Sequence, residues 1–307
     1  MKAAFLLGVA TALGASAGAE QAVPEFGVST DLVVLSATAV DRKGRPVMDL
    51  QSDELRVFEE GEPQAIAHFT EAGGAKARML LLVDISGSME ADQYKARTMA
   101  AARALLGAVG PEDEIGLSAF DREYWPVVPF THDHDAILNR LERIKPWGST
   151  ALHDALALGA AQLAQEAEGR RAIVVLTDGV DTASELGVEE AVARSRALDV
   201  PIYAVAVVSP LDDPSSPLYT GAEHPTEESE AGSVLQRYAA LSGGRAFTVS
   251  DLDELGRVAR AITSELDNQY RLGYRPPQGP AGYRRVEVRS TRKGVVVRTR
   301  RGYVATR

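Results

Sequence analysis

Two apolar runs that each end at an acidic residue constrain the fold of this chain more than any other feature. Residues 79–83 (MLLLV) precede Asp84, and residues 172–176 (AIVVL) precede Thr177 and Asp178. Neither run alternates between apolar and polar positions, which predicts strands that are buried on both faces. Such strands are typical of an open sheet covered by helices, where ligands bind beyond the carboxyl ends of the strands. Both acids are therefore predicted to lie at one ligand-binding edge.

Side chains that can offer oxygen ligands cluster around these strand ends. Asp84, Ser86 and Ser88 occupy alternate positions directly after the first strand. Thr150 opens a helical pattern further along the chain. Taken singly, each of these residues is an ordinary helix cap or turn residue. Taken together, they offer only oxygen donors, which suits a hard cation such as Mg²⁺, with Mn²⁺ or Ca²⁺ as alternatives. The predicted metal ligands are Asp84, Ser86, Ser88, Thr150 and Asp178.

The same set resembles the metal-ion-dependent adhesion site of von Willebrand factor type A domains. That site combines a DxSxS motif, here residues 84–88, with a Thr, here Thr150, and a TDG motif, here residues 177–179. The chain matches it at all five ligand positions. The resemblance implies that the hydroxyls bind the cation directly and that one or both acids act partly through water. It also implies that a Glu or Asp of a partner protein completes the metal shell, as in cell adhesion.

The patterns along the chain predict an inserted domain. Strand and helix patterns alternate over residues 76–268, which predicts an α/β fold with a doubly wound, mostly parallel, Rossmann-like sheet. Residues 24–72 and 269–307 show β patterns without a helical period. Residues 20–72 carry 11 acidic and 4 basic residues, whereas residues 271–307 carry 11 basic residues and one acid. These opposite charges favour pairing into one small β-sandwich-like module around the inserted domain; the alternative is two separate flaps.

The flanking segments carry a second resemblance. The sequences DRKGRPVMDL (41–50), DELRVFEEGEPQ (53–64) and YRLGYRP (270–276) are similar to the exported bacterial VWFA-related family. In that family the flanks form β structure, and no catalytic residue is attributed to them. The resemblance covers nearly all of the chain after its first residues, but these flanking motifs are less specific than the five-residue set.

Residue types also indicate local structure along the chain. Residues 55–58 and 64–69 read as the two strands of a hairpin. Residues 209–231 contain four prolines and no periodicity, which predicts a long loop, and residues 252–268 predict the last helix. The arginines of the C-terminal segment are expected to point outward from twisted strands. His153 is expected at a helix surface or behind the metal ligands rather than on the metal.

The N-terminus predicts export. Residues 1–19 combine Lys2, an apolar run from residue 3 to 13 and small residues at a cleavage site, which is typical of a signal peptide. The chain has no Cys for a lipid anchor, and no later apolar stretch is long enough to span a membrane. The expected location is therefore secreted or periplasmic, without a stable membrane anchor.

The sequence favours a binding protein over an enzyme. A net charge of −10 disfavours nucleic acid as a partner. The serines of the motif do not lie in G-x-S-x-G, and no nucleotide-binding glycine motif is present, so we predict no catalytic residue and no organic cofactor. The alternative is a hydrolase that uses the same cation to activate water. A third reading, a structural module with a vestigial α/β domain, is disfavoured by the intact five-residue set.

Overall fold

A computed structural model gives the fold and describes residues 32–73, 76–87, 92–166, 169–208 and 230–305. The predicted signal peptide (1–19), residues 24–31 of the N-terminal segment, and Ser88 lie outside the described residues. Most of the predicted loop 209–231 also lies outside them.

Strands at both ends of the chain enclose an alternation of strands and helices. The first strands are β1 (Val33–Val40), β2 (Leu55–Glu59), β3 (Glu62–Gln64) and β4 (Ile66–Thr70). The alternating part comprises β5 (Ala77–Asp84), α1 (Asp92–Leu106), β6 (Glu114–Phe120), β7 (Tyr124–Thr131), α2 (His134–Glu142), α3 (Leu152–Ala164), β8 (Arg170–Thr177), α4 (Val188–Ala197), β9 (Ile202–Val207), α5 (Glu230–Ser242), β10 (Arg245–Val249) and α6 (Leu255–Asp267). The last strands are β11 (Gln269–Tyr274), β12 (Gly282–Ser290), β13 (Val296–Thr299) and β14 (Gly302–Ala305).

The central sheet has six strands in the order β10-β9-β8-β5-β6-β7, and only β7 runs antiparallel to its neighbour. Leu81 and Val83 of β5 pack against one layer of helices, while Leu80 and Leu82 pack against the other. This two-sided burial explains why the apolar runs do not alternate. The predicted doubly wound α/β sheet is therefore confirmed.

Strands from the two flanking segments are neighbours in two further sheets. Their orders are β13-β1-β11-β4 and β14-β12-β2-β3. Residues from both ends of the chain share one core, for example Leu35 and Val57 with Tyr270 and Tyr303. The sandwich-like module built from both segments is thus present, while the exact domain boundaries given above stay a prediction.

The predicted hairpin between residues 55–58 and 64–69 is wrong in its second strand. β2 turns back through Glu60 and Gly61, which have positive φ angles of 50° and 89°, and the returning strand is the short β3; the other neighbour of β2 is β12. The chain then changes sheets, and β4 pairs with β11. Phe69 of β4 stacks on Tyr270 with ring centroids 5.9 Å apart. The local sequence pattern indicates that β4 is a strand. It does not indicate which strand β4 pairs with, because Phe69 contacts a residue that lies 201 positions later in the sequence.

The expectation that the C-terminal arginines point outward is wrong for two of them. Arg284 and Arg300 are 9% and 5% exposed. Arg284 donates to Glu59 at 2.9 Å, and Arg300 pairs with Asp199 at 3.3 Å. Both are buried because an acidic partner neutralises each guanidinium in the interior. The sequence pattern showed the excess of charge on each segment but did not identify these pairs.

Some boundaries also differ from the predictions. Helix α5 already begins at Glu230, so the predicted loop 209–231 is too long at its end. The last helix begins as a short 3₁₀ turn over Leu252–Glu254 before α6. Strand β14 was not predicted. Within the described ranges, none of the helices is long and apolar enough to cross a membrane.

Candidate metal centre

Asp84 is fixed at the end of β5 by three hydrogen bonds. Its Oδ1 accepts the Ser86 backbone N–H at 2.9 Å, and its Oδ2 accepts the Thr177 hydroxyl at 2.7 Å. The Ser86 hydroxyl also bonds to the carboxylate. Strands β5 and β8 pair in parallel, with Val83 opposite Leu176, so their carboxyl ends lie side by side. The Asp84 side chain therefore bridges its own loop and the neighbouring strand.

Asp178 places a second carboxylate beside the first. It is 9% exposed, and its Oδ1 accepts the Val180 backbone N–H at 3.1 Å. Gly179 follows with φ of 86°, a conformation that favours glycine and turns the chain sharply after the acid. Burial, together with the negative charge of Asp178, raises the pKa of Asp84 to about 6, although hydrogen bonds from Ser86 and Thr177 oppose the increase. A buried carboxyl group whose ionisation is opposed by a neighbouring carboxylate is an arrangement that a cation would stabilise.

Backbone hydrogen bonds join the loop after β5 to the loop before α3. The Gly87 N–H donates to the Gly148 carbonyl at 2.9 Å, and the Trp147 N–H donates to the Ile85 carbonyl at 2.7 Å. Gly148 has φ of 84°. A Cβ at Gly87 would lie 3.2 Å from the Gly148 carbonyl oxygen, so both glycines allow the two backbones to approach closely.

Thr150 is anchored by the loop that follows Asp178. Its N–H donates to the Thr182 hydroxyl, and its carbonyl accepts the N–H groups of Thr182 and Ala183, each at 2.9 Å. Ala151, not Thr150, occupies the N-cap position of α3, and it makes no side-chain capping bond. The same loop provides hydrogen-bond acceptors for the first turn of α3. The His153 N–H donates to the Asp181 carboxylate at 3.2 Å and to the Ser184 hydroxyl at 3.0 Å.

The structure thus brings four of the five predicted ligands onto three loops that hydrogen-bond to one another. Asp84 and Ser86 are each 1% exposed, and Thr150 is 5% exposed. The fifth, Ser88, is outside the described residues. In those ranges no three His, Cys, Asp or Glu side chains group closely enough to hold a metal ion. A cation here would therefore need the hydroxyl oxygens as well as the carboxylates, and this all-oxygen donor set fits Mg²⁺. The assignment of these residues as ligands stays a prediction.

Sequence reasoning did not foresee the residues that support the site. The Thr177 hydroxyl donates to the Asp84 carboxylate, and the Thr182 hydroxyl accepts the backbone N–H of Thr150. The Asp121 carbonyl accepts the Ala151 N–H at 2.7 Å and so holds the start of α3 near the end of β6. Only Thr177 had a visible signal, since it belongs to the TDG motif.

Two histidine positions are explained by the fold. His153 is 7% exposed, so it does not lie on a helix surface. Its Nδ1 lies 3.2 Å from the Tyr238 hydroxyl and 3.9 Å from the Asp181 carboxylate, and burial lowers its pKa. His132 bonds to the Asp113 carbonyl at 2.9 Å, just before Asp133 caps α2. The polar start of α2 is therefore a capping feature.

Comparisons with known proteins agree with this architecture. Residues 79–180 match the sequence model of the von Willebrand factor type A domain family. An uncharacterised protein of Borreliella burgdorferi is 30% identical over 142 residues, which is 44% of this chain and 42% of that protein. The chain thus spans less than half the length of that relative.

Two solved structures share the fold. A von Willebrand factor type A protein from Catenulispora acidiphila superposes with a TM-score of 0.51 at 12% identity, over 87% of this chain and 71% of that one. An aerotolerance-related membrane protein from Bacteroides fragilis gives a TM-score of 0.51 at 23% identity, over 62% of this chain and 98% of that one. At these identities the likeness concerns the fold alone. The sequence match therefore indicates a von Willebrand factor type A domain over residues 79–180, and the sheet topology of the chain agrees with that fold.

Proposed function

We propose that this chain binds a partner protein through a divalent cation at a metal-ion-dependent adhesion site. The observation that carries the proposal is the pair of buried carboxylates, Asp84 and Asp178, at adjacent strand ends, where burial and mutual repulsion raise the pKa of Asp84 to about 6. The proposed ligands are Asp84, Ser86, Ser88, Thr150 and Asp178, and the proposed cation is Mg²⁺, with Mn²⁺ or Ca²⁺ as alternatives.

The donor set explains why such a site would take an acidic partner. When bound, the cation supplies a Lewis-acidic centre that prefers oxygen ligands and near-octahedral coordination. The two carboxylates contribute a charge of −2, while Ser86, Ser88 and Thr150 contribute neutral hydroxyls. This set balances a divalent charge without exceeding it, so a further anionic oxygen is not repelled. A Glu or Asp side chain of the partner meets that requirement.

The hydrogen bonds of the site orient these donors. Thr177 and the Ser86 backbone hold both oxygens of Asp84, and the Thr150 backbone is held on both sides by the loop of residues 182–183. The donors are therefore pre-positioned, which lowers the entropy that binding must overcome. We propose a non-enzymatic role for this arrangement.

We also propose that the protein is secreted or periplasmic. The support is the signal-peptide pattern of residues 1–19. Sequencing the N-terminus of the mature protein should find it near Gly18 or Glu20. Retention of Met1 on protein from the cell interior would contradict the export proposal.

A metal titration tests the proposed function directly. We expect calorimetry with MgCl₂ to detect binding to the wild type, and we expect Asp84→Asn to lower the affinity at least about tenfold, because few of the ligands are anionic. Asp253→Asn, which changes an exposed acid outside the set, is the matched control and should bind as the wild type does. Equal affinity in all three proteins would exclude this set as the metal site.

A binding assay then addresses the partner. Exported proteins retained on the immobilised wild type in Mg²⁺ should be released by EDTA and should not bind Asp84→Asn. Partner binding that persists in EDTA would show that the metal centre is not the binding surface. Turnover of ester or phosphoester substrates that depends on Mg²⁺ and on Asp84 would instead support the hydrolase alternative.

A further inference from the structure

Large apolar side chains are exposed on the loops of the metal centre and at the start of β7. Within the described ranges, the exposed large hydrophobic residues include Trp125 (47% exposed), Trp147 (80%) and Val180 (43%). Trp125 and Trp147 are also the two tryptophans of the chain. Single exposed apolar residues need no explanation, but several around one polar centre are typical of an interaction surface.

Trp147 and Val180 are attached to the predicted ligand loops by backbone hydrogen bonds. The Trp147 N–H donates to Ile85, which lies between the predicted ligands Asp84 and Ser86. The Val180 N–H donates to the carboxylate of Asp178 itself. The backbones of both residues therefore lie next to the predicted ligands, and their side chains are exposed to solvent.

Trp125 is connected to the same place through Asp121. Its indole Nε1 donates to the Asp121 Oδ1 at 3.4 Å. A Cβ at Gly148, the residue after Trp147, would lie 3.7 Å from the Asp121 Oδ2. The Asp121 carbonyl accepts the N–H of Ala151, which follows the predicted ligand Thr150. Asp121 thus lies next to Trp125, to the residue after Trp147 and to the start of α3 beside the predicted ligand Thr150.

These side chains contribute little to the folded core. Trp147 leaves four-fifths of its surface in water, although indole is among the largest apolar groups. Tryptophan is enriched among the residues that dominate binding energy at protein interfaces. We define Trp125, Trp147 and Val180 as the apolar rim.

The charges near the rim suit an acidic partner. The end of α2 and the residues next to the two tryptophans carry the bases Arg122, Arg143 and Lys145 and the acids Asp121, Glu123 and Glu142, so these segments have no net negative charge that would repel a carboxylate. Together with a cation at the centre, this surface favours a segment that carries a carboxylate.

We propose that the apolar rim recognises a bulky apolar side chain next to the partner's metal-binding carboxylate. The partner is an extended protein segment with Glu or Asp one or two residues from Phe, Leu or Trp. This inference rests on the proposed function and extends it, because the cation would select the acid and the rim would select its neighbour. The rim thus determines which acidic segments bind.

A selection from a random peptide library tests this inference. The immobilised baits are the wild type, the double variant Trp125→Ala/Trp147→Ala, Asp84→Asn, and Leu252→Ala as the matched control. Leu252 is 42% exposed and does not belong to the rim. All selections are run in MgCl₂, and the wild type is repeated in EDTA. Circular dichroism checks that each variant is folded, which we expect because the altered side chains are exposed or polar.

The expected result is specific. Peptides enriched on the wild type and on Leu252→Ala should pair an acid with a large apolar residue. Synthetic versions should bind the double variant at least about tenfold more weakly. A tryptophan-free peptide should shift the emission of the protein to shorter wavelength, since its two tryptophans are the fluorophores at the rim.

The contrary results separate the inference from the proposed function. Acidic peptides without an apolar preference, or equal binding to the double variant, would overturn the rim inference alone. Peptides that bind equally in EDTA or to Asp84→Asn would overturn the metal-dependent function. The absence of any enriched peptide would overturn both.

Discussion

Several interactions in the structure shift the pKa of Asp84 in opposite directions. Burial and the nearby Asp178 disfavour its charged form, whereas hydrogen bonds from Ser86 and Thr177 favour it, and its pKa settles at about 6 instead of 3.8. When a carboxyl group has a higher pKa in the folded state than in the unfolded state, its protonation favours folding, and this contribution is complete below the pKa of the unfolded state. That contribution is lost as the pH rises through the folded pKa, because the folded state then carries an unfavourable charge.

The metal-free protein should therefore become less stable between pH 4 and pH 7.5 relative to Asp84→Asn. The change from 3.8 to about 6 corresponds to roughly 3 kcal/mol over that range. Urea unfolding in EDTA at several pH values measures the difference. Asp253→Asn is the control and should follow the wild type. A constant gap between the wild type and Asp84→Asn would show that Asp84 has an ordinary pKa.

Mg²⁺ should reverse this effect if the proposed site is correct. At pH 7.5 the wild type should gain stability with the logarithm of the Mg²⁺ concentration above its dissociation constant, because the ion binds the folded state. Asp84→Asn should gain much less. Thermal unfolding at increasing MgCl₂ concentrations measures both. The same gain in the two proteins would place the ion elsewhere.

Among the elements, the turn after α5 brings the α/β part close to the backbone at the end of β13. Gly243 has φ of 90°, and a Cβ there would lie 2.8 Å from the Thr299 carbonyl carbon and 2.9 Å from the Arg300 nitrogen. Gly61 has a similar φ of 89°, but nothing lies within 4 Å of its Cβ position. A comparison of alanine substitutions at these two glycines therefore distinguishes the cost of a positive φ from the cost of a steric clash.

Gly243→Ala should destabilise the protein more than Gly61→Ala. Both substitutions incur the cost of a positive φ, on the order of 1 kcal/mol. Gly243→Ala adds a backbone clash, for which overpacking costs of about 1–3 kcal/mol are typical. Chemical unfolding of the two variants and the wild type measures the difference. Equal losses would mean that the turn can move away from β13 without cost.

The strands and helices also show which features of the fold can be predicted from the sequence alone. The apolar runs predicted β5 and β8, and the matched motif predicted Asp84 and Asp178 at neighbouring strand ends, because these signals are local. The pairing of β4 with β11 and the burial of Arg300 were not predicted, since each depends on a partner far along the chain. The exposure of Trp147 likewise depends on how three loops meet.

At the scale of the whole molecule, Glu59 joins the two ends of the chain. It is 2% exposed and accepts Arg284 at 2.9 Å, the Tyr274 hydroxyl at 2.6 Å and the Tyr303 hydroxyl at 3.1 Å. Its partners all come from the C-terminal segment. The opposite charges of the two terminal segments therefore meet in a buried hydrogen-bond network around Glu59 as well as at the surface.

Glu59→Gln should destabilise the protein by about 3–5 kcal/mol, because Arg284 would keep its charge in the interior without an anionic partner. Glu287→Gln is the matched control. Glu287 pairs with Arg289 at 2.6 Å, but both side chains are more than half exposed, so its loss should be about 0–1 kcal/mol. Urea unfolding at pH 7 compares the two. Similar small losses would show that the buried network is not stabilising.

The connections to the inserted part also predict that it is removable. Thr70 at the end of β4 lies opposite Arg271 in β11. Replacing residues 71–268 by a short Gly-rich hairpin loop, which keeps all of β11, should leave a folded β module. Circular dichroism should show β structure, and denaturant unfolding should be cooperative, although weaker than in the full chain. A non-cooperative transition would mean that the module depends on the α/β part.

The same connections determine how the molecule would respond to tension. A pull on a partner held at the metal end reaches the module through β4 and β11 together, because these neighbours lead into and out of the α/β part. β1 pairs with β11 in the opposite direction over six residues, with Val33 opposite Tyr274 and Thr38 opposite Gln269. If the N-terminal end is held, force draws β1 and β11 apart along their length. The hydrogen bonds between them then bear the load in shear, all at once, rather than being peeled one after another.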